Sequence, residues 1–460
     1  MRRLSTVSLP VAVFFAGCSL IVPGPDSFEF RDASLGIDAA PDSQVAPGDA
    51  GPDASLCAVG LEDCLGECVD TQTSVEHCGA CGSACAESLS CDEGECLDPS
   101  IQVAAAWVNT CSRSRAGQVH CWGSNDMGQV GAGIDDSVVN APNRVPLPLP
   151  AVDVATGGPI ACAVTSDGAV WCWGSNDEGQ LGDRALGTAS RVPVRVPRVA
   201  DATRVVAGLD HACALIRDGS VLCWGSNEHG QLGDGTFEPR DGPVAVGLDP
   251  ADAQSLRSGD GTICVTRSTG RVYCWGAQVI GDGTMEASSE PRAVALGRVS
   301  DSTGGGALHC AITDEVSCWG TGGSLLRGEA SGPWFVPTAV PSPEPSDVSQ
   351  LAVFSFLTRF ATIQFGAHAC ALHVDGSVSC WGTNWTGELG NGTTDPADAP
   401  SPVELPLEAV SVAVGTLHSC AVLADGSVHC WGANASGQLG TGSLADQLAP
   451  SRTILLPERP

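Results

Sequence analysis

The sequence predicts an all-β protein: a seven-bladed β-propeller preceded by a small disulfide-rich module and a disordered tether. Three observations carry that expectation. A Cys-Trp-Gly triplet recurs seven times, at Cys121, Cys172, Cys223, Cys274, Cys318, Cys380 and Cys430. Each copy has an upstream cysteine, and these step by 51, 51, 51, 46, 60 and 50 residues. That period fits one four-stranded propeller blade. Within each copy, two short runs of alternating polarity flank a turn, the pattern of a β-hairpin. The expected divisions are a signal over 1–18, an acidic linker over 19–56, a Cys-rich module over 57–98 and the propeller over 99–460.

The first segment, MRRLSTVSLPVAVFFAGC, sets two arginines before a short apolar core and small residues before Cys18. This is the layout of a secretory signal, too short to cross a membrane as a helix. FAGC resembles a bacterial lipobox, with Phe15 where Leu is more usual. The resemblance implies cleavage before Cys18 and its lipidation, with Ser19 favouring export to the outer membrane. The alternative is an ordinary cleaved signal and an incidental cysteine. Residues 19–56 are rich in Asp, Ala, Pro, Gly and Ser. Such a composition cannot bury enough apolar surface to offset ordering, so a self-repelling linker is expected.

Eight cysteines crowd residues 57–96: Cys57, Cys64, Cys68, Cys78, Cys81, Cys85, Cys91 and Cys96. So small a segment lacks a hydrophobic core and needs covalent staples. The Cys78-x2-Cys81 spacing also suits zinc, but an exported chain favours disulfides. Sequence does not choose among the roughly 105 pairings of eight cysteines. The stretch CVDTQTSVEHCGACGSACAESLSCDEGEC resembles the stigma-specific-like modules of myxobacterial surface lipoproteins, which have no settled activity.

In the propeller, HACALI and SVLCWG flank Arg-Asp-Gly. A turn centred on Asp218 puts Cys213 opposite Cys223, close enough to bond. The fifth copy, CAITDEVSC, is two residues shorter; losing one residue from each arm keeps the thiols opposed. The expected clasps are Cys111–Cys121, Cys162–Cys172, Cys213–Cys223, Cys264–Cys274, Cys310–Cys318, Cys370–Cys380 and Cys420–Cys430. The competing reading is fourteen buried free thiols. Glycine-rich text follows Trp-Gly in several copies, as in NDEGQLG from Asn176, NEHGQLG from Asn227, NWTGELG from Asn384 and NASGQLG from Asn434, and the fourth and fifth copies lose it. A short strand near a proline completes each blade. The last, Thr453–Leu456, is expected to pair with Ile101–Ala105 and close the ring.

Composition excludes several functions. The net charge is −31 and the sequence contains no lysine. An acidic surface repels phosphate backbones, so no nucleic-acid partner is expected. Without lysine there is neither a P-loop lysine nor a Schiff base. No catalytic or metal-binding motif is recognisable, and no cofactor is expected. His211, His368 and His418 recur two residues before a cysteine, and the seven triplet tryptophans recur blade by blade; both read as packing. The copies disagree most between the fifth and sixth. There, Trp334, Phe335, Phe354, Phe356 and Phe360, together with Phe365, concentrate the aromatics. Exposed, they would form a partner-binding patch; buried, they would be a long strand pair in one irregular blade.

GLDHACALIRDGSVLCWGSNEHGQLGDGT resembles the repeat of the regulator of chromosome condensation (RCC1) family, over about residues 101–457. The resemblance implies an RCC1-like β-propeller whose loops bind another protein. Relatives include a nuclear nucleotide-exchange factor, a plant ultraviolet receptor and a secreted inhibitor of β-lactamase. A signal and clasped cysteines separate this chain from the cytoplasmic roles, and its tryptophans do not form the receptor's cluster. The expected function is a non-enzymatic, surface-anchored protein-binding or adhesion module. It would act as a monomer outside the cytoplasm, at the outer membrane or cell surface. A protein or glycan ligand would sit on a propeller face, and the membrane would be met only through the anchor at Cys18. The alternatives are an inhibitor or regulator of an extracytoplasmic enzyme, a lyase or glycosidase, and, by fold analogy only, nucleotide exchange.

Overall fold

Hairpin-forming repeats joined by short links leave each sheet with two apolar faces to cover. A ring of radial sheets covers both faces of every sheet at once. The computed structural model shows this ring. It describes residues 57–454 apart from 58–60, 65–66, 73, 86–89, 93–94, 249–250, 278, 314, 323–334, 342–346 and 361. The expected signal, the linker, Cys18 and Trp334 lie outside the described residues.

Seven four-stranded antiparallel sheets follow in chain order. Blade three is typical, with strands Ala202–Ala207, His211–Ile216, Val221–Gly225 and Arg240–Ala245 running from the axis outward. The innermost strands of the others are Ser100–Ala106, Ala151–Thr156, Ala253–Ser258, Asp301–Gly305, Val348–Phe360 and Ala409–Val414. Cys213 faces Cys223 across the second and third strands, and the shorter fifth hairpin still sets Cys310 opposite Cys318. All seven hairpin pairs are bridged.

The Cys-Trp-Gly triplet now has a physical reading. Cysteine clasps the hairpin, and tryptophan is fully buried between blades. Glycine sits where the third strand changes register against the fourth; Gly225 has φ +104°, and a Cβ there would lie 2.5 Å from the Asp210 carbonyl oxygen. Only glycine accepts both conditions.

Ring closure differs from the sequence expectation. Gln447–Arg452 is the outer strand of blade seven and pairs with Val428–Gly432, while Ser100–Ala106 pairs with Asn109–Ser114. The Thr453 and Ile454 amides donate to Val428 and Gly440, within their own blade. Every blade is complete in sequence, so none has to borrow a strand. Blades seven and one meet face to face, joined by the backbone bonds of Ser100 to Gly426 and Gly442 to Asn140 and by side chains. The Thr110 hydroxyl donates to the Gln438 carbonyl at 2.9 Å, the Trp122 Nε1 donates to the same carbonyl at 2.8 Å, and the Asn140 amide donates to Gly442.

Before the ring, two small hairpins, Glu62–Cys64 with Glu67–Val69 and Ser90–Asp92 with Glu95–Leu97, are held by four bridges. These join Cys57 to Cys68, Cys64 to Cys81, Cys78 to Cys91 and Cys85 to Cys96. The two cysteines of the Cys78-x2-Cys81 spacing thus enter different bridges. Asp98 joins this module to the ring by accepting from the Ser114 hydroxyl and the Ala116 amide.

Candidate binding site in the axial channel

The recurring side chains are consumed by the joints between blades. In the NxxGQLG loop, the Asn227 side chain accepts from the Leu232 amide and donates to the Thr236 and Glu238 carbonyls, fixing a tight turn. Asn176, Asn384 and Asn434 do the same in their blades. The turn aims the Gln or Glu carbonyl at the next blade, where a tryptophan Nε1 donates to it. Trp173, Trp224, Trp275 and Trp431 reach Gln129, Gln180, Gln231 and Glu388 at 2.9–3.0 Å. Blade four has lost this loop, and Trp319 in blade five is left buried without a partner for its Nε1.

The histidines belong to the same joints. His418 Nε2 lies 3.0 Å from Thr110 Oγ1, and His368 Nε2 lies 3.1 Å from Ser419 Oγ. Each hydroxyl already donates its proton to a carbonyl, of Gln438 or Glu388, so each imidazole must donate through Nε2. His211 reaches Ser258 at 3.2 Å instead. Burial pushes His418 down to about 3 and His309 to about 4, and lowers His368 as well. His309, His368 and His418 are neutral structural parts.

Where the repeats diverge, side chains remain for binding. The seven inner strands surround an axial cavity of about 530 Å³. At equivalent places, two residues before the position opposite each first cysteine, they carry Gln102, Asp153, Arg204, Ser255, Asp301, Gln350 and Ser411. All seven are polar, and six of them, all but Ser255, line the wall as a belt. Asp153 accepts from the Gln102 amide at 2.8 Å and from the Val205 amide at 2.9 Å, so it spans blades one to three. Burial pushes its carboxyl up, against those two hydrogen bonds. Arg257 pairs with Asp301 at 2.8 Å, joining blades four and five. Gln350 exchanges two hydrogen bonds with the Val412 backbone, joining six and seven. Arg113 donates to Gln102 at 2.8 Å.

Trp107 stops the channel at the far end of the inner strands. It has φ +46° in the turn after Ser100–Ala106, and its Nε1 crosses the axis to Asp260 Oδ1 at 3.1 Å. Its carbonyl accepts from the Thr416 amide, and its ring meets Phe354 edge-on at 6.4 Å. One side chain thus touches blades four and six while its backbone holds blade seven. Desolvation raises Asp260 to about 6. Sequence reading missed both the belt and the stopper. Trp107 falls outside the repeated triplet, and that singularity was its one available signal.

The aromatic segment resolves differently from a free patch. Val348–Phe360 and Thr362–His373 form one long hairpin. Of the candidate partner-binding residues, Phe354 and Phe356 are only 3% and 7% exposed. Phe354 packs on Trp107; Phe356 covers Gly366 and meets Trp385 edge-on at 5.3 Å. They are core, because the long hairpin folds its aromatics against neighbouring loops. Phe335 and Phe360 lie in strands whose side chains there are outside the described residues, and Trp334 is outside them altogether.

A closed ring of seven repeat-built sheets with an axial polar channel defines a β-propeller repeat protein. Models of the regulator of chromosome condensation (RCC1) repeat match residues 116–164, 167–215, 218–264, 375–422 and 425–460, and a second such model matches 151–180, 202–231 and 409–438. The chain belongs to the RCC1 repeat family. Mouse regulator of chromosome condensation is 29% identical over 340 residues, covering 66% of this chain and 76% of that protein. Mouse probable E3 ubiquitin-protein ligase HERC4 is 31% identical over 185 residues, covering 38% of this chain but only 17% of that much longer protein. Among solved structures, yeast RCC1 (Prp20) bound to Kap60 is 21% identical with TM-score 0.64, covering 76% of this chain and 85% of that one. Prp20p from Saccharomyces cerevisiae, in a study of its binding to Gsp1p and histones, is 22% identical with TM-score 0.63, covering 75% and 87%.

Proposed function

We propose that this protein is a non-enzymatic protein-binding module, held outside the cytoplasm by a lipid at Cys18, with its ligand on a propeller face. The observation that carries the reading is the disposition of cysteine. All twenty-two described cysteines are in bridges, fourteen of them across propeller hairpins. Bridges on this scale suit an oxidising compartment, and the remaining cysteine ends the signal-like segment. The repeated His, Trp, Asn and Gln groups serve the joints between blades, which leaves a stiff scaffold with loops on both faces. Binding of yeast Prp20 to Kap60, and the binding of Prp20p to Gsp1p and histones named with its structure, supports a platform role.

The test is cross-linking on intact cells, followed by identification of what is captured with the full chain. A protein partner at the cell surface is the expected result. Capture of an enzyme whose rate then changes would favour the inhibitor or regulator reading. Recovery of the chain in the cytoplasm, without lipid, would overturn the proposal. No turnover of an ester and glycan panel, and no acceleration of nucleotide release from a small GTPase, are expected.

A further inference from the structure

The belt around the channel leaves one cation over. Three arginines and two aspartates line the wall, on a chain whose net charge is −31. Arg113 is engaged by Gln102. Arg257 is engaged by Asp301 and by the Ser302 and Leu256 carbonyls. Arg204 is exposed on the wall and has no hydrogen bond or ion pair among the described residues. Its near carboxylate, Asp153, takes its hydrogen bonds from Gln102 and the Val205 amide and acts on Arg204 and Arg113 only through its charge. On its other side stands Arg257, close enough for the two like charges to disfavour each other.

We infer that the axial channel binds a carboxylate-bearing small molecule or chain end, with Arg204 as its anchor. A planar guanidinium matches a carboxylate in two parallel hydrogen bonds. The cavity, about 530 Å³, lies within the range of ordinary ligand sites. Trp107 and Asp260 block the opposite end, so the ligand enters from the side where the inner strands begin, carboxylate first or last, and cannot thread through. Asp153 and Asp301 in the same wall repel additional negative charge, which selects a single carboxylate over a phosphate dianion. The site lies within the channel rather than on a face and does not depend on that reading.

Calorimetric titration of the full chain tests this with trialanine, trialanine amide, acetate and inorganic phosphate as probes. Trialanine is expected to bind at least about tenfold more tightly than its amide, since one charge-assisted pair is lost. Binding of acetate with no gain from the peptide would assign the site to small carboxylates rather than to chain ends. Arg204→Gln should abolish the preference for acid over amide while leaving the melting temperature unchanged. Arg204→Lys, which keeps the charge but not the fork, should fall between. Should Arg204→Gln fail to fold, the lysine variant carries the test. Equal binding of acid and amide, stronger binding of phosphate, no binding at millimolar concentration, or unchanged affinity in the Arg204 variant that folds would each overturn the inference. Cell-surface cross-linking should be unaffected by the substitution, which separates this site from the protein-binding reading.

Discussion

Trp275 and Trp319 hold the same place in neighbouring blades and differ by one hydrogen bond. Trp275 donates to Gln231, whereas Trp319 has no acceptor because the loop that would supply one is missing from blade four. Replacing either by Phe removes similar volume. In Trp275→Phe, however, the change also strips a buried carbonyl of its donor, which costs roughly 1–3 kcal/mol. Denaturant unfolding should show Trp275→Phe to be the more damaging of the two by about 1 kcal/mol or more. Equal losses would mean that the indole acts through packing alone. The tryptophans were legible from sequence as packing, because they recur by blade. Their acceptors were not, since a backbone carbonyl leaves no mark on the sequence.

At the scale of the element, the hairpin is the unit that sequence describes best. Period-two polarity and an Asp-Gly turn fix its register, and register fixes which residues oppose one another. The fifth hairpin makes the point: eight residues separate Cys310 from Cys318, ten separate the other pairs, and the thiols still face. Inserting one residue at Thr313–Glu315 should shift that register and release two free thiols, countable by alkylation and mass spectrometry. Removing one clasp with Cys213→Ser and Cys223→Ser should cost at most about 2.5–3 kcal/mol, the loop-entropy value for so small a ring. The long hairpin of blade six was legible as an irregular strand pair. Whether its aromatics faced solvent was not, because the loops that cover Phe354 and Phe356 come from Trp107 and Trp385, far away in sequence.

The whole molecule is closed by side chains and a few backbone hydrogen bonds rather than by a shared strand, and that closure should be sensitive to single residues. Thr110→Val removes the donor to Gln438 and the acceptor for His418 at the joint of the last and first blades. A loss of roughly 2–3 kcal/mol is expected, read from thermal or denaturant unfolding. A loss below half a kcal/mol would show that face packing alone holds the ring. Acid should also open it. His309 and His418 sit near 4 and 3 when folded, against about 6.5 when unfolded. Their contribution is therefore full above pH 6.5 and is lost as pH falls toward 4 and then 3, because the unfolded chain takes up protons first. Asp260 opposes this. Raised to about 6, it contributes most below about pH 3.9 and loses that contribution as pH rises through 6. Asp153 is raised by burial like Asp260, and His368 is lowered like the other two rings; three histidines outweigh two carboxyls, so the melting temperature should drop between pH 6.5 and 4, and His418→Gln should flatten the drop.

By itself the sequence determined the number of blades, the hairpins and the identity of the repeated packing residues, because each of these is a local pattern written seven times. Tertiary structure alone decided how the ring closes, which way Phe354 and Phe356 turn, how eight crowded cysteines pair, and that one arginine of the axial belt has no hydrogen bond or ion pair among the described residues. Those outcomes depend on which distant residues arrive beside one another, and no periodicity along the chain records that.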